Sequence, residues 1–262
     1  MIGIPQVRVM EIEALLKAGL RTRLQAYMPE SAGMPFHTRL LGKDRLALCS
    51  FLRSLFADFG AIFFEPVALE LAKGRFRTAQ LKATAGDLIS EAAQREIQAI
   101  MNQLTTAEAS PDKTEELRQL RAVCQQGAMR KVKLTKVDIL LETHAGELYL
   151  FDLKTAKPNI GNFREFKRTL LEWAAAAMAA DPAVKVNTLI AIPYNPYEPQ
   201  PYNRWTMRGM LDLEHELKVA QEFWEFLGGK GAYEELLDCF ERVGIELRPE
   251  IDAYFARFKT RT

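Results

Sequence analysis

Several features that mark common classes of protein are missing from this sequence. Its three cysteines, Cys49, Cys124 and Cys239, lie far apart and form no CxxC pair, which argues against both a disulfide framework and a structural zinc site. Its three histidines are equally scattered, so they suggest neither a metal site nor a base and nucleophile pair. No apolar run approaches the length of a membrane span, and the first residues lack the layout of a signal peptide. We therefore expect a cytoplasmic protein with no membrane partner.

A strong charge of one sign is also missing. The 262 residues carry a net charge of +1, and this sum alone neither indicates nor excludes a nucleic-acid partner. The distribution says more, because basic side chains crowd around the segment KVDILLETHAGELYLFDLKTAKPN, residues 136–159. They are Arg118, Arg121, Arg130, Lys131, Lys133, Lys136, Lys154, Lys157, Arg164, Lys167 and Arg168. A charge run is commonly a solvated face, so a nucleic-acid surface here depends on what the segment itself does.

The order of periodic segments predicts an α/β protein. Apolar residues at three- and four-residue spacing predict helices over the first eighty residues, in FREFKRTLLEWAAAAMAA and in MLDLEHELKVAQEFWEFLGG. VNTLIAIP is a short apolar run that predicts a buried strand. We expect a helical scaffold at 1–80, a core at 81–193, and a C-terminal loop and helices at 194–262 packed on that core, all in one compact domain.

The segment 136–159 predicts a strand hairpin, and the turn decides which side chains meet. If His144-Ala145-Gly146 forms a three-residue turn with Gly146 in the left-handed conformation, Asp138 falls opposite Asp152. A two-residue turn would place the two aspartates on opposite faces of the sheet. The glycine at the third turn position favours the first arrangement.

In that register one face of the hairpin is apolar and the other ends in Asp138, Asp152 and Lys154. Two neighbouring carboxylates repel each other unless a cation lies between them, and oxygen ligands with open positions suit Mg²⁺. Such a metal can polarise a phosphate and lower the pKa of a bound water, while Lys154 stabilises the charge that develops. The pattern favours phosphodiester hydrolysis. The same acidic-x-lysine spacing recurs by chance at 165–167 and 216–218, where helical patterns splay the two side chains.

These residues resemble the motif of the PD-(D/E)xK nuclease superfamily. Lys136-Val137-Asp138 stands where the family has Pro-Asp, with valine in place of the proline, and Asp152-Leu153-Lys154 stands where it has (D/E)xK. MPFHTRLLGKDRLALCSFLRSLFADFG, LISEAAQREI, DLKTAKPN, YNPYEPQPYNRW and EFWEFLGGKGAYEELL are similar to type II restriction endonucleases of the TdeIII kind. That likeness is spread over most of the chain. The group usually has Glu at the position of Asp152.

The resemblance implies a restriction-endonuclease-like core, which is a mixed central sheet flanked by helices, with helical N- and C-terminal additions. It implies a homodimer that cuts both strands of double-stranded DNA at a short palindromic site, with Mg²⁺ as cofactor. Asp138, Asp152 and Lys154 are then catalytic residues, and Asp138, Asp152 and Leu153 are the metal ligands. The superfamily often adds a carboxylate from its first core helix, which makes Glu91 in LISEAAQREI a further catalytic candidate, although a solvated helical glutamate explains it equally well.

Two points stay open at this stage. The first strand of such a core is either a backward extension of VKLTKVD or absent. Two other functions also remain: a repair or junction-resolving nuclease of the same superfamily, or a catalytically inactive DNA-binding or scaffold protein.

DNA contacts are predicted on both sides of the hairpin. Lysines are suited to phosphates, whereas asparagine and arginine can make paired hydrogen bonds with base edges. The predicted set is Lys131, Lys133, Lys136, Lys157, Asn159, Asn162, Arg164, Arg168, Asn203 and Arg204. Each of these residues taken singly is equally compatible with a helix cap or a solvated loop.

Overall fold

The protein is described by a computed structural model that covers residues 3–28, 34–154, 156–158, 160–203 and 207–257, without the side chain of Ile160. The chain divides into two compact units. The first consists of Met1–Glu70 and Gly229–Thr262, and the second is Leu71–Gly228. The N-terminal helices and the last helix therefore belong to one unit. The boundaries between the units differ from the segment boundaries that we expected after residues 80 and 193.

The first unit is helical. Its helices are α1 (Gln6–Ala26), α2 (Pro35–Leu41), α3 (Lys43–Phe59) and α9 (Ala232–Ala256). Helix α3 continues through a π-helical turn into α4 (Glu65–Ala72), whose last two residues belong to the second unit. Phe51 of α3 is buried against the rings of Tyr27, Tyr254 and Phe255, at centroid distances of 5.2, 6.1 and 5.3 Å. Such aromatic packing buries a large apolar area, which stabilises the helical unit.

The helix that runs continuously from Lys43 to Ala72 contains a longer apolar stretch than we expected from the sequence. Its 30 residues include an 18-residue window of mean hydropathy 1.6, which by length and composition is sufficient to cross a membrane. In the structure 28% of that window is buried. The core helix of a soluble protein can have the same length and composition, so this single helix is weak evidence for a membrane span.

The second unit is built on a five-stranded mixed sheet with the order β1-β4-β5-β6-β7. Its strands are β1 (Thr78–Ala83), β4 (Val137–Glu142), β5 (Leu148–Leu153), β6 (Val186–Ile192) and β7 (Leu217–Val219). The pairs β1·β4 and β4·β5 are antiparallel, and β5·β6 and β6·β7 are parallel. A separate two-stranded sheet joins β2 (Leu88–Ser90) to β3 (Met129–Lys131). The predicted α/β fold, with a hairpin, a helix and a further strand, is confirmed.

Helices α5 (Glu91–Thr105), α6 (Lys113–Val123), α7 (Phe163–Ala180) and α8 (Gln221–Gly228) belong to the same unit. Helix α7 provides the crossover that parallel strands β5 and β6 require. Its alanine-rich face is buried, and the indole of Trp173 donates a hydrogen bond to the carbonyl of Thr135 at 2.9 Å. This bond ties the helix to the segment that leads into β4.

Two strands lie where helix was predicted. TAQLKA forms β1, whose first residues fall within the predicted scaffold, and it is the first strand of the core that the sequence analysis left unassigned. Leu217–Val219 forms β7 inside a predicted helix, of which only Gln221–Gly228 is helical. Alanine, glutamine, leucine and lysine are good helix formers, so the local preference is overridden by pairing with β4 and β6.

Candidate active site

The turn of the hairpin sets the geometry of the candidate site. Gly146 has φ +81°, and its N–H donates to the carbonyl of Thr143 at 3.0 Å. The N–H of Thr143 donates to the carbonyl of Glu147 at 2.9 Å. In the ladder above the turn, Ile139 lies opposite Phe151. The next pair in the same register is Asp138 and Asp152, so the predicted three-residue turn and its register are confirmed.

Asp152 is a buried carboxylate that pairs with Lys154. Its residue is 5% exposed, and its Oδ1 lies 2.8 Å from Nζ of Lys154. Burial raises the pKa of Asp152 to about 6, which Lys154 counteracts and the neighbouring Asp138 carboxylate reinforces. The ammonium of Lys154 lies 4.5 Å from the ring centroid of Phe166, which limits where it can move. Asp152 thus carries a proton more readily than an ordinary aspartate.

Asp138 is held by two donors. The N–H of Leu153 donates to its Oδ2 at 2.8 Å, and Nζ of Lys82 donates to its Oδ1 at 2.6 Å. The side chain of Asp138 is 18% exposed, so it lies at the edge of the solvent. The carboxylates of Asp138 and Asp152 lie close enough at the end of the hairpin to interact with each other.

The donor set fits a divalent ion that prefers oxygen. Among the residues that the structure describes, no three His, Cys, Asp or Glu side chains are grouped to hold a metal. Mg²⁺ does not need such a cage, because it is commonly bound by one or two carboxylates together with water and substrate phosphate. Leu153 can contribute only its backbone carbonyl, and its N–H already reaches Asp138. Asp138, Asp152 and Leu153 are thus chemically suited to the ion, whereas Glu91 is engaged elsewhere.

Glu91 forms an ion pair with Arg130. It is the first residue of α5, and Arg130 of β3 donates to its Oε1 through both Nε, at 2.8 Å, and a terminal nitrogen. Hydrogen bonding by Arg130 lowers the pKa of Glu91. The helix is capped by Ser90, whose Oγ accepts from the N–H of Ala93. The structure brings Asp138, Asp152 and Lys154 together but does not add Glu91 to a metal-binding group.

The predicted DNA contacts are spread over exposed segments near the hairpin. Lys131, Lys133, Lys136, Lys157, Asn162, Arg164 and Asn203 are exposed, and Arg168 is half-buried. Lys133 and Arg168 line one cavity of about 380 Å³ together with Glu172. Asn162 precedes α7 but makes no capping hydrogen bond with its side chain. Asn159 and Arg204 lie outside the described residues.

Sequence reasoning missed a second group of charges, here called the buried ion network. It consists of Lys113, Glu116, Lys167 and Glu216. Nζ of Lys167 binds Glu116 and Glu216 at 2.5 and 2.7 Å, and Nζ of Lys113 binds Glu216 at 2.8 Å and Thr188 at 2.6 Å. All four residues of the network, and Thr188, are buried. Lys167 and Glu216 belong to the two triplets that were attributed to chance, and no local signal links them.

Lys82 was missed as well. It lies at the end of a segment whose composition favours helix, and only the pairing of β1 with β4 brings it to Asp138. The candidate site therefore contains two carboxylates and two lysines, one lysine more than the motif implies.

A mixed sheet whose hairpin ends in Asp138, Asp152 and Lys154 is consistent with a nuclease of the PD-(D/E)xK class. The comparison with known families is more specific: the family described as "Type II restriction endonuclease, HinfI" matches residues 9–244. The chain belongs to this family. The predicted class is confirmed, although the likeness noted in the sequence was to enzymes of the TdeIII kind.

Curated relatives agree with this assignment. The chain is 27% identical to the type II restriction enzyme HgiEI of Herpetosiphon aurantiacus over 222 residues, which is 83% of this chain and 79% of that enzyme. It is 26% identical to HgiBI of the same organism, with the same coverage. It is 27% identical to MjaII of Methanocaldococcus jannaschii, over 76% of this chain and 55% of that enzyme. The protein is thus a site-specific deoxyribonuclease that acts on double-stranded DNA, and its family implies a divalent metal cofactor.

Proposed function

We propose that this restriction endonuclease uses Mg²⁺ to hydrolyse both strands of a short palindromic DNA site, as a homodimer in the cytoplasm. The observation that carries the proposal is the register of the hairpin, in which Asp138 lies opposite Asp152 with Lys154 beside them. A two-fold symmetric site is matched by a two-fold symmetric protein, which supports the dimer.

The roles of the residues follow from their surroundings. Asp138, Asp152 and the carbonyl of Leu153 would hold the ion, which when bound polarises the scissile phosphate. Lys154 would donate to a phosphate oxygen and stabilise charge there, because its ammonium is only half-buried and borders Asp152. Asp152, whose pKa burial raises to about 6, would be mostly ionised at neutral pH and so able to bind the ion.

Plasmid digestion tests the chemistry. Wild-type protein should produce discrete fragments with Mg²⁺ and none with EDTA, and sequencing the fragment ends should reveal the palindrome. Asp138→Asn should abolish cutting while leaving DNA binding measurable in a gel-shift assay. Glu147→Gln is a matched control, because Glu147 lies at the turn end of the same hairpin and pairs with Lys185 at 3.8 Å. Cutting by the Asp138 variant at the wild-type rate would contradict the assignment.

The DNA surface is proposed on the flanks of the hairpin. Lys131, Lys133 and Lys136 lead into β4 and are exposed, so they would contact phosphates. Asn162 occupies the N-cap position of α7 without a capping hydrogen bond from its side chain, so its amide is suited to a base edge. Asn162→Ala should reduce discrimination between cognate and altered sites by about 1–3 kcal/mol. Competition binding with single-base variants of the site would measure that loss, and unchanged discrimination would move base recognition elsewhere.

A further inference from the structure

Lys82 faces the candidate active site from the neighbouring strand. In the β1·β4 ladder, Leu81 lies opposite Ile139 and Ala83 lies opposite Val137. Lys82 is therefore the residue opposite Asp138, and its Nζ lies 2.6 Å from Oδ1 of that carboxylate. The side chain of Lys82 is 51% exposed, whereas that of Asp138 is 18% exposed. The ammonium of Lys82 is thus the more exposed of the two charged groups, and it can exchange this contact for solvent or for a nearby phosphate.

The backbone at Lys82 is unusual. Its φ is +52°, in the left-handed region that L side chains rarely adopt. A strained residue persists where the surrounding structure requires it, and such residues are concentrated at functional sites. Here the strained position supplies the cation for a predicted metal ligand.

The second oxygen of Asp138 has a separate donor. Oδ2 accepts from the N–H of Leu153, which belongs to the backbone of β5. The carboxylate therefore keeps one anchor when Lys82 leaves Oδ1. Lys82 is thus the exchangeable partner of Asp138, and the backbone N–H is the permanent one.

We propose that Lys82 is a positioning residue that acts as an exchangeable counter-cation: it neutralises and orients Asp138 until a divalent ion is bound, and then releases Oδ1. The inference rests on the divalent site proposed above. Lys82 and the ion compete for the same carboxylate oxygen, so removing the ammonium should favour the ion. A purely structural lysine would instead stabilise the chain equally with and without metal.

The test measures binding of Mn²⁺ to DNA-free protein, because Mn²⁺ prefers the same carboxylate ligands and its free form can be counted by paramagnetic resonance. Lys82→Met should bind Mn²⁺ about two- to fivefold more tightly, which is the range of an exposed ion pair. Its melting temperature should be lower than that of wild type in EDTA, and the gain on adding Mn²⁺ should be larger.

Further variants keep the test decisive. Lys82→Arg retains the positive charge and should bind Mn²⁺ no more tightly than wild type. Lys185→Met is the matched control, because Lys185 pairs with Glu147 at the other end of the hairpin and should leave Mn²⁺ affinity unchanged. Lys82→Gly removes the charge and also the strain, so it should be more stable than Lys82→Ala with the same gain in Mn²⁺ affinity.

The outcomes separate the two proposals. Wild-type protein that binds no Mn²⁺ and shows no thermal shift would overturn the divalent site itself. Wild-type protein that binds Mn²⁺ with the same affinity as Lys82→Met, or more tightly, would overturn the role of Lys82 and leave the divalent site intact.

Discussion

The second unit of the protein contains two groups that each combine two carboxylates with two lysines. In the buried ion network, Lys113, Glu116, Lys167 and Glu216 are all buried. In the candidate active site, Asp152 is buried, but the lysine side chains are 27% and 51% exposed at Lys154 and Lys82. Both groups combine carboxylates with ammonium groups, but their access to solvent differs.

This difference separates structure from chemistry. A sealed group of charges must neutralise itself, because an unpaired charge in a low-dielectric interior is costly. Burial lowers the pKa of Lys113 and raises that of Glu116, while Lys113 and Lys167 hold the pKa of Glu216 below its usual value. The candidate active site can instead exchange a lysine for an outside cation. Of the two charged clusters, the one whose lysine can be replaced by another cation is therefore the one suited to metal-dependent chemistry.

The largest effect, a loss of cleavage, is expected from a change in the candidate active site. Asp152→Asn removes a carboxylate that the ion requires, so cleavage should fall by roughly a thousandfold or more, equivalent to several kcal/mol. Single-turnover cleavage with Mg²⁺ measures this loss. In EDTA the free energy of unfolding should be unchanged or higher, because the variant removes a buried charge beside Asp138. A variant that unfolds readily would instead assign Asp152 a structural role.

For the buried ion network we expect a loss of stability. Glu216→Gln leaves Lys113 and Lys167 with too little negative charge, and breaking one partner of a buried ion group costs about 3–5 kcal/mol of unfolding free energy. Urea denaturation measures this cost. Glu115→Gln is the control. Glu115 precedes Glu116 in the chain, but it is exposed and pairs with Arg118, so its replacement should change stability little. Equal losses in both variants would remove the contrast between buried and exposed pairs.

The raised pKa of Asp152 predicts a smaller, pH-dependent effect. The folded state holds this proton more tightly than the unfolded chain, whose aspartate titrates near 3.8, so the contribution to stability is present below that pH and is lost as pH rises through about 6. The shift corresponds to a change on the order of 1–3 kcal/mol. The pKa of Glu116 is also raised, so the stability of wild type alone would mix the two contributions. The difference in unfolding free energy between wild type and Asp152→Asn, measured in EDTA as a function of pH, isolates the contribution of Asp152. A difference that is constant with pH would contradict the shift.

The smallest effect concerns lysines that belong to neither group. Lys133→Met should weaken binding to all DNA sequences alike and reduce the salt dependence by about one unit of slope, because one phosphate contact is lost. Gel-shift titrations at several salt concentrations measure the slope. Lys185→Met is the control, since Lys185 is 77% exposed and lies at the opposite end of the hairpin. Equal slopes in all three proteins would place the DNA on another surface.

The hairpin could be predicted from sequence because its information is local. A glycine at the third turn position and the two-residue period of the strands are enough to place Asp138 opposite Asp152. Capping of α5 by Ser90 and of α6 by Asp112 is local in the same way. The sequence by itself therefore determined the α/β class, the register of the hairpin and the three motif residues.

The rest was decided by tertiary structure. Lys82 and Asp138 are separated by 56 positions in the sequence, and Lys113 and Glu216 by 103, so no local pattern predicts either contact. TAQLKA and Leu217–Val219 have weak strand preferences, and they become strands because they complete the hydrogen bonding of β4 and β6. Backbone pairing at the edges of the sheet thus converted two helix-forming segments into strands, and it placed a second lysine at the candidate active site.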